Sequence, residues 1–388
     1  MKKKIFVILS RIPYPLEKGD KLRAFHQLRE LSKNNELIIC AVSDIPVHKE
    51  AYNIIREFGS SVYFFRLRKA GIVLRLLRAF FSDKPYQVAY FYHKGIHRKI
   101  EQLIELHQPD HLFCQLIRTA AYARHSSVDK TIDYQDVFST GLKRRLDVAP
   151  WYLKPLLRSE HKRVSRYEAY AFDLFDKKTI ISRPDRDNIP HPLREEIHVI
   201  PNGVDSDYFT PLDREKRFDI IFSGNMAYPP NVNGAEYLVK KIMPLVWEER
   251  SDTRVVLAGA TPSGKVKALA SEKVTVTGWV DDIREYYAQS RIFVAPMQIG
   301  TGLQNKVLEA MAMQLPSVTS PLANKALRAL DGEQLLIGRN ASEYARHILS
   351  LLSDSSLSKN LGEKGYRFVL ENFNWASTSA MLEKVITA

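Results

Sequence analysis

Several features that are common in other classes of protein are scarce in this 388-residue chain. Only two cysteines occur, Cys40 and Cys114, so a disulfide framework and a cysteine-based metal site are both excluded. Each lies in a predicted strand, where we expect a buried thiol. No apolar run approaches the roughly 20 residues of a membrane-spanning helix. The first run, residues 5–9, is also shorter than the roughly 7 to 15 residues of a signal-peptide core, so we interpret it as a first strand.

The sequence also offers little that would hold a metal ion. Its tight carboxylate pairs near loops are Asp281 with Asp282 and Asp185 with Asp187. The first pair fits the start of a helix, where carboxylates face the positive end of the dipole, and the second fits an exposed turn. No cysteine accompanies any of the histidines in ligand spacing. We therefore expect neither a metal ion nor a bound cofactor.

What the chain does have is a repeated alternation of strand and helix signals. Short apolar runs bounded by helical stretches occur in both halves, at residues 5–9, 37–42, 62–65, 112–114, 131–133 and 179–181, and again at 220–222, 255–258, 274–276, 292–294 and 318–319. This alternation predicts an α/β protein with two Rossmann-like, doubly wound parallel sheets. The chain is also too long for one usual core and suits two domains.

A turn marks the boundary between the two predicted domains. Pro201, Asn202 and Gly203 directly follow a short apolar stretch. We accordingly place an amino-terminal domain at residues 1–197 and a carboxy-terminal domain at residues 198–372. Residues 373–388 are predicted to form a final helix.

Charge is distributed very unevenly between the halves. Residues 1–200 hold 36 Lys and Arg against 23 Asp and Glu, a net of +13, whereas residues 201–388 hold 21 of each. A field of this kind indicates an anionic partner for the first half. Nucleic acid is disfavoured, because the chain has no recognised binding module and no stacking array among its basic residues.

One basic segment, residues 66–87, favours a membrane as that partner. Arg75 and Arg78 fall on one helical face, and six apolar residues fall on another: Ile72, Val73, Leu76, Leu77, Phe80 and Phe81. This pattern is typical of an interfacial helix on anionic lipid. A helix docked on its own sheet, with its arginines in water, would give the same pattern. We expect a cytoplasmic protein attached peripherally to the inner face of the cytoplasmic membrane.

The most informative stretch is a glycine turn that leads into a helix, over residues 299–316. A buried strand precedes the loop, and we expect the helix to begin near Leu303 or Gln304, after the turn formed by Gly300, Thr301 and Gly302. The free amides and the positive dipole end of such a helix favour phosphate.

Two charged residues in this helix suggest a nucleotide diphosphate. Lys306, one turn in, would add a full positive charge to the phosphate site. Glu309 lies three residues further on the same face, where its carboxylate can accept both hydroxyls of a ribose. The apolar residues of the same helix would fit an ordinary core helix equally well.

The segment resembles the donor-binding signature of retaining glycosyltransferases of the GT-B fold, glycosyltransferase family 4. The matching variant reads Gly-Thr-Gly, two residues, Lys, then Leu-Glu-Ala-Met-Ala. The commoner family pattern has two glutamates eight positions apart. Glu309 fits the second, but Thr301 stands at the first, so a carboxylate expected near the transferred sugar is missing. The linker at residues 198–211 also matches the family, in which the final helix packs back on the first domain.

A loop of the first domain, residues 10–23, resembles the glycine loop of these transferases. Gly19 permits close approach to the backbone, Asp20 can cap the following helix, and Arg23 is expected to face back toward the loop. An ordinary capped loop would show the same residues.

Two loops of the second domain resemble parts of the family's donor site. Gly224 and Asn225 follow a strand, and many relatives place a lysine in this loop. Residues 231–234 supply none, so Lys306 is expected to carry more of the diphosphate's charge. Residues 276–282 resemble the turn that receives the base, with Val280 offering backbone groups and Trp279 expected to pack.

The resemblance implies a bacterial enzyme with two domains facing a cleft. It would transfer a hexose from a nucleotide-diphosphate sugar, its co-substrate, to a lipid-linked or polysaccharide-precursor acceptor, with retention and without metal. The similarity is strongest to transferases of exopolysaccharide assembly, where the residue 19–23 loop and the Gly300-Thr-Gly variant occur together.

In the mechanism that the family implies, positive groups stabilise the departing diphosphate. They would be Lys306, the amides of Leu303 and Gln304, and Arg23. Asp133 and Asp136 would contact the acceptor or the donor sugar, or serve in helix capping. Two alternatives stay open: another GT-B enzyme, such as an epimerase or phosphorylase, and a non-catalytic membrane-associated nucleotide-sugar-binding or scaffold protein.

Overall fold

The computed structural model describes residues 2–299 and 302–388, apart from the side chain of Val148. The chain divides into two compact units. The first comprises Met1–Pro201 and Trp375–Ala388, and the second comprises Asn202–Asn374. Each unit is built on a parallel sheet covered by helices.

The sheet of the first unit has the order β3-β2-β1-β4-β5-β6-β7 among the described residues, with every neighbouring pair parallel. The strands are β1 (Lys4–Leu9), β2 (Glu36–Ser43), β3 (Ser61–Arg66), β4 (His111–Gln115), β5 (Lys130–Asp133), β6 (Lys177–Ile180) and β7 (His198–Val199). The order reverses beside β1, as in a doubly wound sheet.

Helices of the first unit follow most of these strands, as parallel pairing requires. They are α1 (Gly19–Leu31), α2 (Ala51–Arg56), α3 (Lys69–Phe80), α4 (Tyr86–Phe91), α5 (Lys94–His107), α6 (Phe138–Val148), α7 (Lys154–Leu174), α8 (Arg183–Arg186) and, from the end of the chain, α17 (Trp375–Thr387). Short 3₁₀ turns occupy Ala120–Tyr122, Trp151–Leu153 and Arg194–Glu196.

The sheet of the second unit has the order β10-β9-β8-β11-β12-β13 among the described residues and is also parallel. Its strands are β8 (Phe218–Ser223), β9 (Val255–Ala258), β10 (Val274–Gly278), β11 (Ser290–Ala295), β12 (Ser317–Thr319) and β13 (Leu336–Ile337). Its helices are α9 (Pro229–Tyr237), α10 (Met243–Glu249), α11 (Gly264–Lys267), α12 (Ile283–Ala288), α13 (Asn305–Ala312), α14 (Pro321–Leu327), α15 (Ala341–Ser353) and α16 (Ser355–Asn372), with a π-helical turn at Leu238–Ile242.

Strand β1 explains why both faces of the first sheet are covered. Its five apolar residues are fully buried and alternate between two apolar clusters, with Phe6 and Ile8 in one and Ile5, Val7 and Leu9 in the other. Because successive side chains of a strand point to opposite faces, a continuous apolar run requires helices on both sides of the sheet. Helix α17 supplies part of the second cluster by packing beside α1.

The predicted fold class, with two Rossmann-like parallel sheets, is confirmed. The two-residue strands β7 and β13 are absent from the predicted apolar runs, because two residues carry too little periodicity to be recognised. Cys40 and Cys114 are buried free thiols, as expected, and burial raises the pKa of both. Within the described ranges, no helix is both long and apolar enough to cross a membrane.

Candidate donor-binding site

Four strands of the second unit end along one edge of its sheet. β8 ends at Ser223, β9 at Ala258, β10 at Gly278 and β11 at Ala295. Ligands of doubly wound sheets bind at the carboxyl ends of the strands, so the loops at this edge are where donor chemistry is expected.

The loops after β8 and β9 touch through their backbones at two glycines. Gly224 and Gly259 adopt φ angles of +141° and +142°, which side-chain-bearing residues rarely adopt. A Cβ atom at Gly259 would lie 2.0 Å from the carbonyl oxygen of Gly224. A Cβ atom at Gly224 would lie 2.7 Å from Asn231 Nδ2 and 3.2 Å from Lys306 Nζ. These two glycines therefore let the β8 loop lie close to Lys306.

Lys306 lies in the first turn of α13, and uncharged groups surround its ammonium. Nζ donates to Asn231 Oδ1, lies 4.5 Å from the ring centroid of Phe222 and is 3.9 Å from Met297 Sδ. Asn231 is itself fixed, because its Nδ2 donates to the Asn225 carbonyl oxygen at 2.9 Å. Desolvation lowers the pKa of Lys306 to about 7, an effect that Glu309 opposes. A bound anion would favour the charged form.

Glu309 is held by a buried hydroxyl chain. Tyr287 Oη donates to Glu309 Oε2 at 3.1 Å and lies 2.7 Å from Ser223 Oγ. Burial raises the pKa of Glu309, while the hydroxyl of Tyr287 and the charge of Lys306 oppose that rise. Glu309 as a residue is only partly buried.

The start of α13 lies slightly later than predicted. The helix begins at Asn305 with Gln304 as its N-cap, whereas a start at Leu303 or Gln304 was expected. The Gln304 side chain makes no capping hydrogen bond to this helix. Gly302 precedes it with a φ of +79°, which favours glycine. The predicted donor contacts of Gly300 and Thr301 fall outside the described residues.

The loops at the rim of this edge carry exposed side chains. Asn225 is exposed and accepts from the amide of Ala227 at 2.9 Å, and Val280 is partly exposed. The expectation that Trp279 packs is wrong, since its side chain is 69% exposed. Gly278 before it is the last residue of β10 and has a φ of +75°, and the chain bends at Trp279.

The first unit places Arg23 and Asp133 together, away from solvent. Arg23 Nε donates to Asp133 Oδ2 at 2.7 Å, and Thr179 Oγ1 donates to Asp133 Oδ1 at 2.9 Å. Both charged side chains are completely buried. A buried guanidinium needs a carboxylate partner, and Asp133 supplies it. The predicted contacts of this pair with substrate stay predictions.

The other first-unit candidates lie nearer the surface. Gly19 begins α1, and a Cβ atom there would meet nothing within 4 Å. Asp20 was expected to cap α1, but its carboxylate pairs with Arg11 and the N-cap is Lys18. Asp136 is exposed and accepts from the amide of Val137 at 2.8 Å, next to the start of α6.

The carboxylate pairs considered for a metal have other partners. Asp282 is the N-cap of α12, as predicted, and accepts from the Arg284 amide at 2.9 Å. Asp185 was expected in an exposed turn but is only 4% exposed, and it accepts from Ser182. Within the part of the chain that the structure describes, no group of three or more His, Cys, Asp or Glu residues could hold a metal ion.

Sequence reasoning missed three residues that position the site: Ser223, Asn231 and Tyr287. Asn231 lies in the loop where many relatives place a lysine. Its amide oxygen accepts a hydrogen bond from Lys306 and so positions that lysine. Tyr287 lies in α12, outside the donor motif in sequence. Its position at the end of a helix just before β11 was the only sequence signal for its role in the site.

Comparison with known proteins gives a match within the second unit. Residues 217–354 match the family model described as Glycosyl transferases group 1. This match, together with the solved structures that share the fold, confirms the predicted resemblance to glycosyltransferases of the GT-B fold.

Among curated proteins, the chain is 23% identical to an uncharacterized 44.6 kDa protein in the cps region of Klebsiella pneumoniae, over 96% of both chains. It is 26% identical to the MMP alpha-(1->4)-mannosyltransferase of Mycolicibacterium hassiacum, over 63% of this chain and 62% of that protein. It is 27% identical to the lipopolysaccharide core biosynthesis glycosyltransferase LpsE of Rhizobium meliloti, over 49% of this chain and 58% of that protein.

Solved structures share its fold at low sequence identity. Sucrose-phosphate synthase from Thermosynechococcus elongatus matches with a TM-score of 0.70 and 14% identity, over 99% of this chain and 98% of that one. Anabaena Alr3699/HepE, solved in complex with UDP and glucose, matches with a TM-score of 0.70 and 11% identity over the whole of both chains.

Proposed function

We propose that this glycosyltransferase transfers a hexose from a nucleotide-diphosphate sugar to a lipid-linked or polysaccharide-precursor acceptor. The observation that carries the proposal is the arrangement around α13, with Lys306 at its start and Glu309 one turn later. A protonated Lys306 among uncharged neighbours suits a diphosphate, and a carboxylate held by Tyr287 suits a ribose. In support, the fold is shared with a protein solved with UDP and glucose.

Lys306 would act by stabilising charge on the leaving diphosphate. This negative charge grows as the bond from the anomeric carbon to the diphosphate oxygen breaks, so a fixed ammonium contributes more in the transition state than in the ground state. Asn231 would hold the ammonium in place before donor binds. We propose retention of the anomeric configuration and independence of metal as the matching chemistry.

The proposed acceptor class rests on the names of two relatives and on the positive charge of residues 1–200. One relative is named for lipopolysaccharide core biosynthesis and another for the cps region. Residues 1–200 carry the whole net charge of +13, which suits a phosphorylated lipid acceptor and an anionic membrane surface. We therefore propose a cytoplasmic protein bound peripherally to the inner membrane face.

A donor screen tests the proposal. The purified chain is heated with UDP-, GDP- and ADP-sugars, and we expect one nucleotide to raise the melting temperature. Lys306→Ala should weaken donor affinity and lower turnover further still, whereas Lys267→Ala, an exposed lysine of the same unit, should change neither. No stabilisation by any nucleotide would favour the scaffold alternative instead.

Product analysis separates transfer from the other chemistries. NMR of the glycoside, with and without EDTA, reports anomeric configuration and metal dependence together. An isomerised nucleotide sugar would indicate an epimerase, and phosphate-dependent cleavage of a glycoside would indicate a phosphorylase. Unchanged donor affinity and turnover in Lys306→Ala would contradict the assigned site.

A further inference from the structure

Helix α3 has two apolar faces, and only one of them packs on the first unit. Ile72 and Ala79 are buried beneath the helix. The residues on the opposite side form what we call the outer α3 face. It consists of Val73, Leu74, Leu77, Phe80 and Phe81, with exposed fractions of 57%, 49%, 60%, 57% and 87%. The sheet-docked interpretation of this segment thus accounts for the inner face and leaves the outer one unexplained.

The orientation of Arg75 is the reverse of that in an ordinary surface helix. Its guanidinium turns inward and donates to the carbonyl oxygens of Ala89 and Tyr90 at 3.2 and 3.0 Å. A soluble helix places its charges outward and its leucines inward. Here Arg75 is only partly exposed and is held by backbone carbonyls, while Arg78 and five large apolar side chains are exposed. The outer α3 face is therefore suited to an apolar partner.

A second exposed apolar element belongs to the same unit. The segment 151–156, which we call the Trp151 segment, exposes four large side chains: Trp151 at 83%, Tyr152 at 63%, Leu153 at 41% and Leu156 at 45%. It comprises a 3₁₀ turn and the start of α7. Nothing in the sequence patterning of charge or periodicity singles this segment out, because its apolar residues are few and adjacent.

Arg163 connects the two elements. From α7 its guanidinium donates to the carbonyl oxygens of Ala79 and Phe80, at 3.0 and 3.2 Å, at the end of α3. Leu156 precedes Arg163 by seven residues, which is two helical turns on the same face, or about 10 Å. The Trp151 segment therefore lies on the same side of the unit as the end of the outer α3 face.

The positive charge around both elements favours anionic lipid over a second copy of this chain as the partner of this surface. Residues 66–84 contain six Lys and Arg and one carboxylate, Asp83, and residues 143–163 contain seven Lys and Arg and two carboxylates. Two such surfaces would repel each other in a symmetric dimer, since an isologous interface brings the same charges together. Anionic headgroups complement the cations, and the acyl boundary accepts the apolar side chains.

We propose that the outer α3 face and the Trp151 segment form one docking surface for an anionic lipid bilayer, with Trp151 and Tyr152 as its interfacial anchors. Tryptophan and tyrosine side chains favour the headgroup boundary of a bilayer, because the apolar ring can face the acyl chains while the polar N–H or O–H faces water. This inference deepens the membrane attachment proposed above and rests on it, but it does not depend on donor binding.

Vesicle sedimentation of the full chain tests the surface. The probes are phosphatidylcholine vesicles with and without phosphatidylglycerol, in graded salt. We expect binding to the mixed vesicles that weakens as salt rises, because headgroup attraction is screened. The double variants Leu77→Ser with Phe80→Ser, and Trp151→Ser with Tyr152→Ser, should each weaken binding by about tenfold or more, since each removes two buried apolar side chains from the interface.

A matched control and a second measurement separate this inference from the proposed enzymatic function. Leu106→Ser changes an equally exposed leucine of the same unit, 72% exposed at the end of α5, and should leave vesicle binding unchanged. Melting temperature with and without the selected nucleotide reports folding and donor binding in every variant, and should not change. If no nucleotide raises the melting temperature of the wild type, the proposed donor site is contradicted. The vesicle-binding result would still test the docking surface.

Three outcomes would overturn the docking surface. Equal binding to neutral and mixed vesicles, or binding to neither, would remove the anionic bilayer as the partner. Full binding by the Trp151 double variant would separate that segment from the outer α3 face. The third outcome is a dimer in solution that both double variants abolish. If vesicle binding is then lost only where the dimer is lost, the surface is a contact between copies of the chain.

Discussion

Binding of a nucleotide sugar should draw a proton onto Lys306. Desolvation lowers the pKa of this lysine to about 7 in the protein without donor, so near pH 8 only about a tenth of the molecules carry the charge. The negative diphosphate favours the ammonium and raises the pKa. A rise of about two pKa units corresponds to about 2.7 kcal/mol, which a charge-assisted contact can supply.

The sign and size of the proton uptake follow from these values. A pKa that rises on binding means that the complex holds more protons, so affinity falls as the pH rises above about 7. We expect uptake of about 0.8 proton at pH 8 and about 0.1 at pH 6. A diphosphate joined to both a nucleoside and a sugar has no group of its own that titrates in this window.

Calorimetry in buffers of different ionisation enthalpy measures the uptake directly. The selected nucleotide sugar is titrated into the wild type, Lys306→Met and the surface control Lys267→Met at both pH values. Uptake should be present in the wild type and in the surface control and absent from Lys306→Met. Uptake that is the same at pH 6 and pH 8, or that persists in Lys306→Met, would refute the assignment of the phosphate charge to this lysine.

Three further changes separate binding from structure. Glu309→Ala should weaken nucleotide binding by about 1 to 3 kcal/mol, measured by calorimetry, and an unchanged affinity would remove the ribose contact. Gly224→Ala should lower the melting temperature and abolish donor binding because of its φ of +141° and the close Asn231 amide, whereas Gly19→Ala should keep the wild-type melting temperature. Arg23→Met should destabilise the chain by about 3 to 5 kcal/mol in urea unfolding, because Asp133 stays buried and unpaired; lost activity at full stability would instead restore a catalytic role.

The fold could be predicted from sequence because parallel strands buried on both faces produce continuous apolar runs. The runs around Val7 and Ile39 are of this kind, and both residues are completely buried in the structure. Short edge strands such as β13 escape this signal because two residues cannot show a period. Helix α13 was recognised because its motif combines a glycine turn with charged residues in a fixed spacing.

Side-chain direction was much harder to predict, as Arg23, Arg75 and Trp279 illustrate. Helical periodicity places a residue on a face of the helix but does not show which residues of other elements pack against that face. Asp133 lies 110 residues from Arg23 in the chain, so the pairing that buries both is a tertiary fact. Trp279 was expected to pack, yet it follows Gly278, whose φ is +75°, and its side chain is 69% exposed.

The contact between Gly224 and Gly259 limits how the proposed donor site can be redesigned. A side chain at residue 259 would occupy the space of a neighbouring carbonyl oxygen, so the floor of the site has no room for variation. Accommodation of another base or sugar must come from rim positions such as Asn225 and Trp279, whose exposed side chains can change without disturbing the sheet. Mutant libraries aimed at new donors should therefore randomise the rim and leave both glycines fixed.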